Sequence, residues 1–108
     1  MLMRLLIIDD NKSICKMLAQ NYSGKFITRA SFGNENIFCL INDFKPDVLL
    51  IDYILPNLSG SKLCKMIKLN PETITSPVIL FSTSTINEET KESVCDYFIS
   101  RQSDPRKL

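Results

Sequence analysis

Two apolar runs in this chain end in carboxylates, and those carboxylates are the residues best suited to chemistry. Leu5-Leu6-Ile7-Ile8 is closed by Asp9 and Asp10, and Val48-Leu49-Leu50-Ile51 is closed by Asp52. Unbroken runs of leucine and β-branched residues of that length read as strands buried on both faces of a parallel sheet. Ligand sites in open parallel α/β sheets lie just beyond the carboxyl ends of the strands. If these two strands are neighbours, three carboxylates converge. At about 4 to 5 Å and an effective dielectric near 20, each like-charge pair costs roughly 3 to 4 kcal/mol. That is a large share of the ~5–15 kcal/mol net stability of a small domain. A bound cation is the expected remedy, and an all-oxygen ligand set suits a hard divalent ion, Mg²⁺ before Zn²⁺ or Cu²⁺.

The elements that must position these residues alternate between strand and helix signals with short connections, the pattern of an α/β fold with a parallel sheet. Strands are predicted over residues 4–8, 26–30, 47–51, 77–81 and 97–99. Helices are predicted over 11–22, 34–43 and 59–69, with a weak polar candidate over 86–93. Apolar stripes at helical spacing support the first three: Ile14, Met17 and Leu18; Ile37, Leu40 and Ile41; Leu63, Met66 and Ile67. Asp10 or Asn11 could cap the first helix, and Gly24 is expected to end it. Lys45-Pro46 should stop the second, because proline disfavours helical geometry in the residue before it. Tyr53 to Gly60 is turn-rich, with Pro56 and Gly60 at defined places. Residues 101–108 are polar, without apolar periodicity.

A chain of 108 residues is expected to form one domain, 1–108, and its 44% hydrophobic and 23% charged content is ordinary for a globular protein. The net charge of +1 supplies no field favouring nucleic acid or an anionic membrane, so neither is expected as a partner. Histidine is absent, which removes the usual general base and most transition-metal sites. Cys15, Cys39, Cys64 and Cys95 form no C-x-x-C pair. The first three sit among apolar helical positions and read as buried free thiols in a reducing cytosol. The segment before Asp9 is too short for a signal peptide, and no apolar stretch approaches ~20 residues. A cytoplasmic location is expected.

The ordered pattern Asp9-Asp10, then Asp52-x-x-x-Pro56-x-x-x-Gly60, then Ser82 and Arg101, each at a strand end, resembles the receiver domain of two-component response regulators over nearly the whole chain. The resemblance implies a five-stranded parallel sheet in the order 2-1-3-4-5, flavodoxin-like and CheY-like, flanked by helices. It implies that Asp52 is a phosphoacceptor, taking a phosphoryl group from the phosphohistidine of a sensor histidine kinase or histidine phosphotransfer protein. Asp9, Asp10, Asp52 and the backbone carbonyl of Ile54 would hold Mg²⁺. Ser82 would donate its hydroxyl to the phosphoryl group, Arg101 would add positive charge, and Phe98 would occupy the aromatic switch position. Phosphoryl transfer is mostly positioning plus neutralisation of charge, and the missing histidine belongs to the donor.

The likeness has departures. Arg101 and Gln102 replace a lysine–proline pair, and a guanidinium fork is not equivalent to an ammonium. Thr83 stands where a smaller residue is common. The last helix is missing or truncated, which would leave part of one sheet face bare and favour a homodimer or another partner there. The functional expectation is a stand-alone phosphoacceptor, not an enzyme, that signals by binding a downstream protein target. The alternative is a degenerate receiver acting as a phosphorylation-independent adaptor. A Mg²⁺-dependent phosphohydrolase fits less well, since Ile54 stands where such enzymes need a second acid; the same residue predicts slow loss of phosphate.

Overall fold

The computed structural model of the chain describes residues 2–33, 35–55, 58–82 and 96–100. In chain order these form β1 (Met3–Ile8), α1 (Lys12–Tyr22), β2 (Phe26–Ser31), α2 (Ile37–Phe44), β3 (Val48–Asp52), α3 (Gly60–Leu69), β4 (Val78–Ser82) and β5 (Tyr97–Ser100). All strand pairs are parallel, as the sequence pattern predicts, in the order β2-β1-β3-β4-β5 that the resemblance implies. The apolar runs are continuous because both faces of the central strands are covered. Leu6, Ile8, Leu49, Ile51 and Leu80 pack with α2 and α3 residues such as Leu40, Ile41, Leu63 and Ile67. Leu5, Ile7, Leu50 and Phe81 pack on the other side with Cys15 and Leu18 of α1.

The helix boundaries follow from local side-chain chemistry. Asn11, not Asp10, caps α1: its side chain accepts from the Ile14 N–H at 3.1 Å. Asn36 does the same for α2 through Cys39 N–H, so that helix starts at Ile37, later than the sequence predicts. Ser59 caps α3 through Lys62 N–H at 3.1 Å. At the other end of α2, Lys45 adopts the left-handed conformation with φ 53°, the outcome of placing a residue that cannot stay helical before Pro46.

One expectation is refined and one corrected. Gly24 follows directly on the end of α1, as expected, but without the left-handed conformation of a glycine cap; Ser23 is the cap, stays right-handed and donates its N–H to Gln20 O. Cys39 is exposed, because the buried stripe of α2 is Ile37, Leu40 and Ile41, and Cys39 lies off it; Cys15 and Cys64 are buried as expected. Cys95, the helix candidate at 86–93, and the tail where the last helix would be sought all lie outside the described residues. On the α1 face, an apolar cleft of about 120 Å³ is lined by Leu5, Tyr22, Phe26, Val48, Leu50, Ile79 and Ile99.

A polar clasp sets the register of the short edge strand β5. Asp96, just before it, accepts from the Val78 N–H at 2.8 Å and from Lys68 Nζ at 2.6 Å. Lys68 also donates to the carbonyls of Ile74 and Ser76. Burial works against the Asp96 carboxylate, but the bonds from Lys68 and Val78 prevail and hold its pKa below the usual value. The register pairs Leu80 with Phe98, and a one-residue slip would turn Phe98 away from the core. Asp96→Ala is expected to lower stability by about 1–2 kcal/mol, since it strips partners from an amide and a largely covered ammonium. With its pKa depressed, this contribution is present at neutral pH and lost on acidification below about 4. Urea denaturation of both proteins at the two pH values checks this; equal midpoints at neutral pH would show that the clasp contributes nothing.

Candidate acidic site at the carboxyl edge of the sheet

β1 and β3 are adjacent, and their last paired residues are Ile8 and Ile51. The residues that follow, Asp9 and Asp52, therefore emerge side by side, with Asp10 beyond. Carboxylate oxygens of all three lie within 4.8 Å of one another, as the sequence predicts. Asp9 is fully buried, Asp52 half-buried and Asp10 exposed.

Each carboxylate is held by backbone geometry. The Asp9 N–H donates to Ser31 O of β2 at 3.0 Å. Its carbonyl accepts from the buried Cys15 thiol at 3.2 Å, and its Oδ1 accepts from the Asn11 N–H at 2.9 Å. Asp9 Oδ2 is buried with no hydrogen-bond donor among the described residues. Asp52 Oδ1 accepts from the Ile54 N–H at 3.3 Å. The next peptide is fixed on both sides: Tyr53 N–H donates to Phe81 O at 2.8 Å, and Tyr53 O accepts from Gly60 N–H at 2.7 Å. α3 thus begins directly on the Asp52 turn. A Cβ at Gly60 would stand 2.0 Å from the Asp52 carbonyl oxygen and 2.9 Å from Leu80 Cδ1. Gly60 is required by this close approach, since any side chain there would meet the Asp52 carbonyl.

The electrostatics follow from burial and like charge. Burial, reinforced by the neighbouring charges of Asp52 and Asp10, pushes the Asp9 carboxyl up to about 7 against the opposing Asn11 N–H. Burial also raises Asp52, with Asp10 adding to it and the Ile54 N–H opposing. The pair can relieve itself by sharing a proton. Burial first, then the Asp9 charge, pushes the Cys15 thiol up to about 12, so it remains a protonated donor. A hard cation fits: it would take the place of the shared proton and satisfy the orphaned Asp9 Oδ2 with an oxygen-only set. Asp9, Asp10 and Asp52 are the side chains that could hold it.

Ser82 is buried at the end of β4, one residue past Phe81, the register partner of Asp52. Phe98 is half-buried against the α2–α3 side of the core and meets Tyr53 edge-to-face, with ring centroids 6.5 Å apart. The Ile54 side chain is exposed. Arg101, Gln102, Thr83 and Pro56 lie outside the described residues. Sequence reasoning missed three features: the Cys15 thiol on Asp9, the contact of Gly60 with Asp52, and the Tyr53–Phe98 pair. Only Gly60 had a readable signal, since a glycine at the first position of a helix lowers helix propensity and suggests a steric reason for its presence.

A parallel sheet in this order, with an acidic cluster at its carboxyl edge, defines a doubly wound α/β domain whose ligand edge suits a hard cation. The chain belongs to the response regulator receiver domain family, whose model matches residues 5–108, and is thereby a component of two-component signalling. It is 31% identical over 110 residues to the phosphate regulon transcriptional regulatory protein PhoB of Pseudomonas aeruginosa, covering 96% of this chain and 47% of that one. It is 24% identical over 109 residues to the DNA-binding response regulator MtrA of Mycobacterium tuberculosis, covering 97% and 46%. The chain therefore spans about half the length of these curated relatives. Among solved structures, the receiver domain of the Francisella response regulator 1452 superposes with a TM-score of 0.81 at 26% identity, covering 98% of this chain and 89% of that one. Chemotaxis protein CheY4 of Vibrio cholerae gives 0.83 at 17% identity, covering 100% and 93%, and shares the fold.

The raised Asp9 pKa carries a stability prediction with a definite sign. Without divalent ion the folded state binds this proton more tightly than the unfolded chain does, about 7 against 3.8. Stability should therefore fall as pH rises from about 4 to about 8. Saturating Mg²⁺ should abolish most of that fall. Urea midpoints at about pH 5 and about pH 8, with and without Mg²⁺, test it; a midpoint rising with pH in chelator would contradict the assignment.

Proposed function

We propose that residues 1–108 form one phosphoacceptor unit in which Asp52 takes a phosphoryl group from a phosphohistidine on a sensor histidine kinase or histidine phosphotransfer protein. The observation that carries this is the convergence of Asp9, Asp10 and Asp52 around a buried carboxylate oxygen that has no donor among the described residues. Asp9, Asp10, Asp52 and the Ile54 carbonyl are the proposed holders of Mg²⁺. When bound, the cation supplies neutralisation of the equatorial phosphoryl oxygens. Asp52 attacks phosphorus through a carboxylate oxygen as the bond to the donor histidine nitrogen breaks. The Ile54 N–H orients that carboxylate, and the Asp9–Asp52 proton leaves before the attack. The Ser82 hydroxyl donates to the transferred group, and Arg101 balances its remaining charge. Ser82 and Phe98 then shift the domain towards a second conformer that a downstream protein target recognises.

Receiver domains are signalling modules, and Ile54 supports that role here, since its alkyl side chain can neither orient nor activate water; slow loss of phosphate is the consequence. The stand-alone role is one form of this function; the relatives carry the same domain in chains about twice as long. The net charge of +1 supports a protein partner over nucleic acid for these residues. Among the described residues no helix is long and apolar enough to cross a membrane, and a cytoplasmic location is proposed with the family. A second copy of the chain is the proposed cover of the apolar cleft on the α1 face.

Incubation with Mg²⁺ and a small phosphodonor such as acetyl phosphate should give a single-phosphoryl mass adduct that decays over minutes or longer. Asp52→Asn and chelator should each abolish it. An unmodified wild-type chain would sink the phosphoacceptor reading; partner binding unchanged by Asp52→Ala would then favour the adaptor. Sedimentation of the same samples as monomers alone would remove the second copy from the cleft.

A further inference from the structure

Tyr53 links the phosphoacceptor turn to the edge strand. Its peptide is clamped between β4 and α3 through Phe81 O and Gly60 N–H, at 2.8 and 2.7 Å. The turn that begins at Asp52 is therefore not free to relax locally. A displacement there must carry along the end of β4, the first turn of α3, or the Tyr53 side chain. The two backbone partners belong to elements buried in the core, whereas the half-buried Tyr53 ring has one aromatic neighbour among the described residues. That neighbour is Phe98 of β5, edge-to-face with interplanar angle 75° and centroids 6.5 Å apart. At its beginning, β5 is fixed independently by the Asp96 clasp to Val78 and Lys68. Beyond its backbone pairing with β4, the strand is thus tethered by a polar side-chain contact at its start and by an aromatic one in its middle, and of these two the aromatic one reaches the residue next to Asp52.

We infer that Tyr53 is a positioning residue: its ring holds Phe98 against the core and conveys the charge state of the neighbouring Asp52 to β5. The inference rests on the phosphoacceptor reading above. An aromatic pair of this geometry has a directional preference that an aliphatic side chain of similar bulk lacks. A ligand-dependent shift of a two-state element requires a contact that differs between the states. The edge-to-face contact between Tyr53 and Phe98 is, among the described residues, an aromatic contact joining the residue after Asp52 directly to β5, beside the backbone route through Phe81.

The test uses the full chain carrying fluorinated phenylalanine, with the Phe98 ¹⁹F resonance assigned through Phe98→Leu, and beryllofluoride plus Mg²⁺ as the phosphoryl mimic. The fluorine signal of bound beryllofluoride reports occupancy of the acidic site separately from the response of Phe98. In wild type, binding is expected to shift the Phe98 resonance. Tyr53→Leu, which keeps apolar bulk and spares the fold, should bind the mimic yet lose most of that shift. Tyr53→Phe should restore it. A Phe98 shift in Tyr53→Leu equal to wild type overturns the inference alone, as does a wild-type Phe98 signal unmoved by bound mimic. Absence of bound mimic on wild type overturns the phosphoacceptor reading and this inference with it.

Discussion

Mutual repulsion among three carboxylates governs the carboxyl edge of this sheet, and the surrounding structure can be understood as what keeps them from separating. Asp9 cannot swing outward because its peptide bonds to Ser31 on one side and Cys15 on the other, and its carboxyl is enclosed. Asp52 cannot retreat because α3 rests on its carbonyl through Gly60. Two apolar clusters grip the strands from both faces, so the ends of β1 and β3 are rigidly adjacent. Burial removes water, the cheapest screen, and leaves a proton or a cation as the remaining means of offsetting the charge. A site so built is responsive by construction: anything that changes its charge balance acts on elements already under electrostatic tension.

The division of labour in the β1–α1 connection serves the same constraint. Asp10 and Asn11 are both competent caps, and had Asp10 taken the cap its carboxylate would have been occupied by helix amides. Asn11 caps instead, while the Asn11 N–H turns back to Asp9 Oδ1. One residue therefore satisfies the start of α1 and orients the buried acid, and Asp10 is left with an exposed carboxylate facing the cluster. A neutral cap costs a little helix-dipole stabilisation relative to aspartate, on the order of a few tenths of a kcal/mol. That is small beside the like-charge terms it leaves to the cation.

The parts of this molecule legible in its sequence are those set by periodicity and by residues at the ends of elements. The runs 5–8 and 48–51 had to be central strands because no edge strand is apolar on both faces, and that placement alone brings the acids at their ends together. The α2 boundary was harder, since the apolar stripe begins only at Ile37 while Asn34, Glu35 and Asn36 before it could each open a helix, and the cap at Asn36 is a side-chain hydrogen bond that no hydrophobic pattern encodes. Cys39 shows the same limit: its neighbours are apolar, but which face it takes depends on where the helix starts. Contacts between distant segments were not legible at all. Nothing near Cys15 signals that its thiol meets the Asp9 carbonyl, and nothing near Tyr53 signals a ring on β5.

Those distant contacts decide how a local chemical event becomes a change of surface. Adding a phosphoryl group to Asp52 would reshape a pocket whose walls are backbone, and backbone clamped by hydrogen bonds moves as a unit or not at all. A useful coupling between sites is about 1–3 kcal/mol. An aromatic pair contributes about 0.5–1.5 kcal/mol beyond burial, enough to supply a sizeable part of such a coupling without fixing β5 irreversibly. The Asp96 clasp complements it: with the strand's register held at its start, a change at Phe98 is confined to a side chain and does not become a slip of the whole strand. A rigid register with one movable ring is the condition under which charge at Asp52 alters the outer face of β5 reproducibly, without unfolding the edge of the sheet.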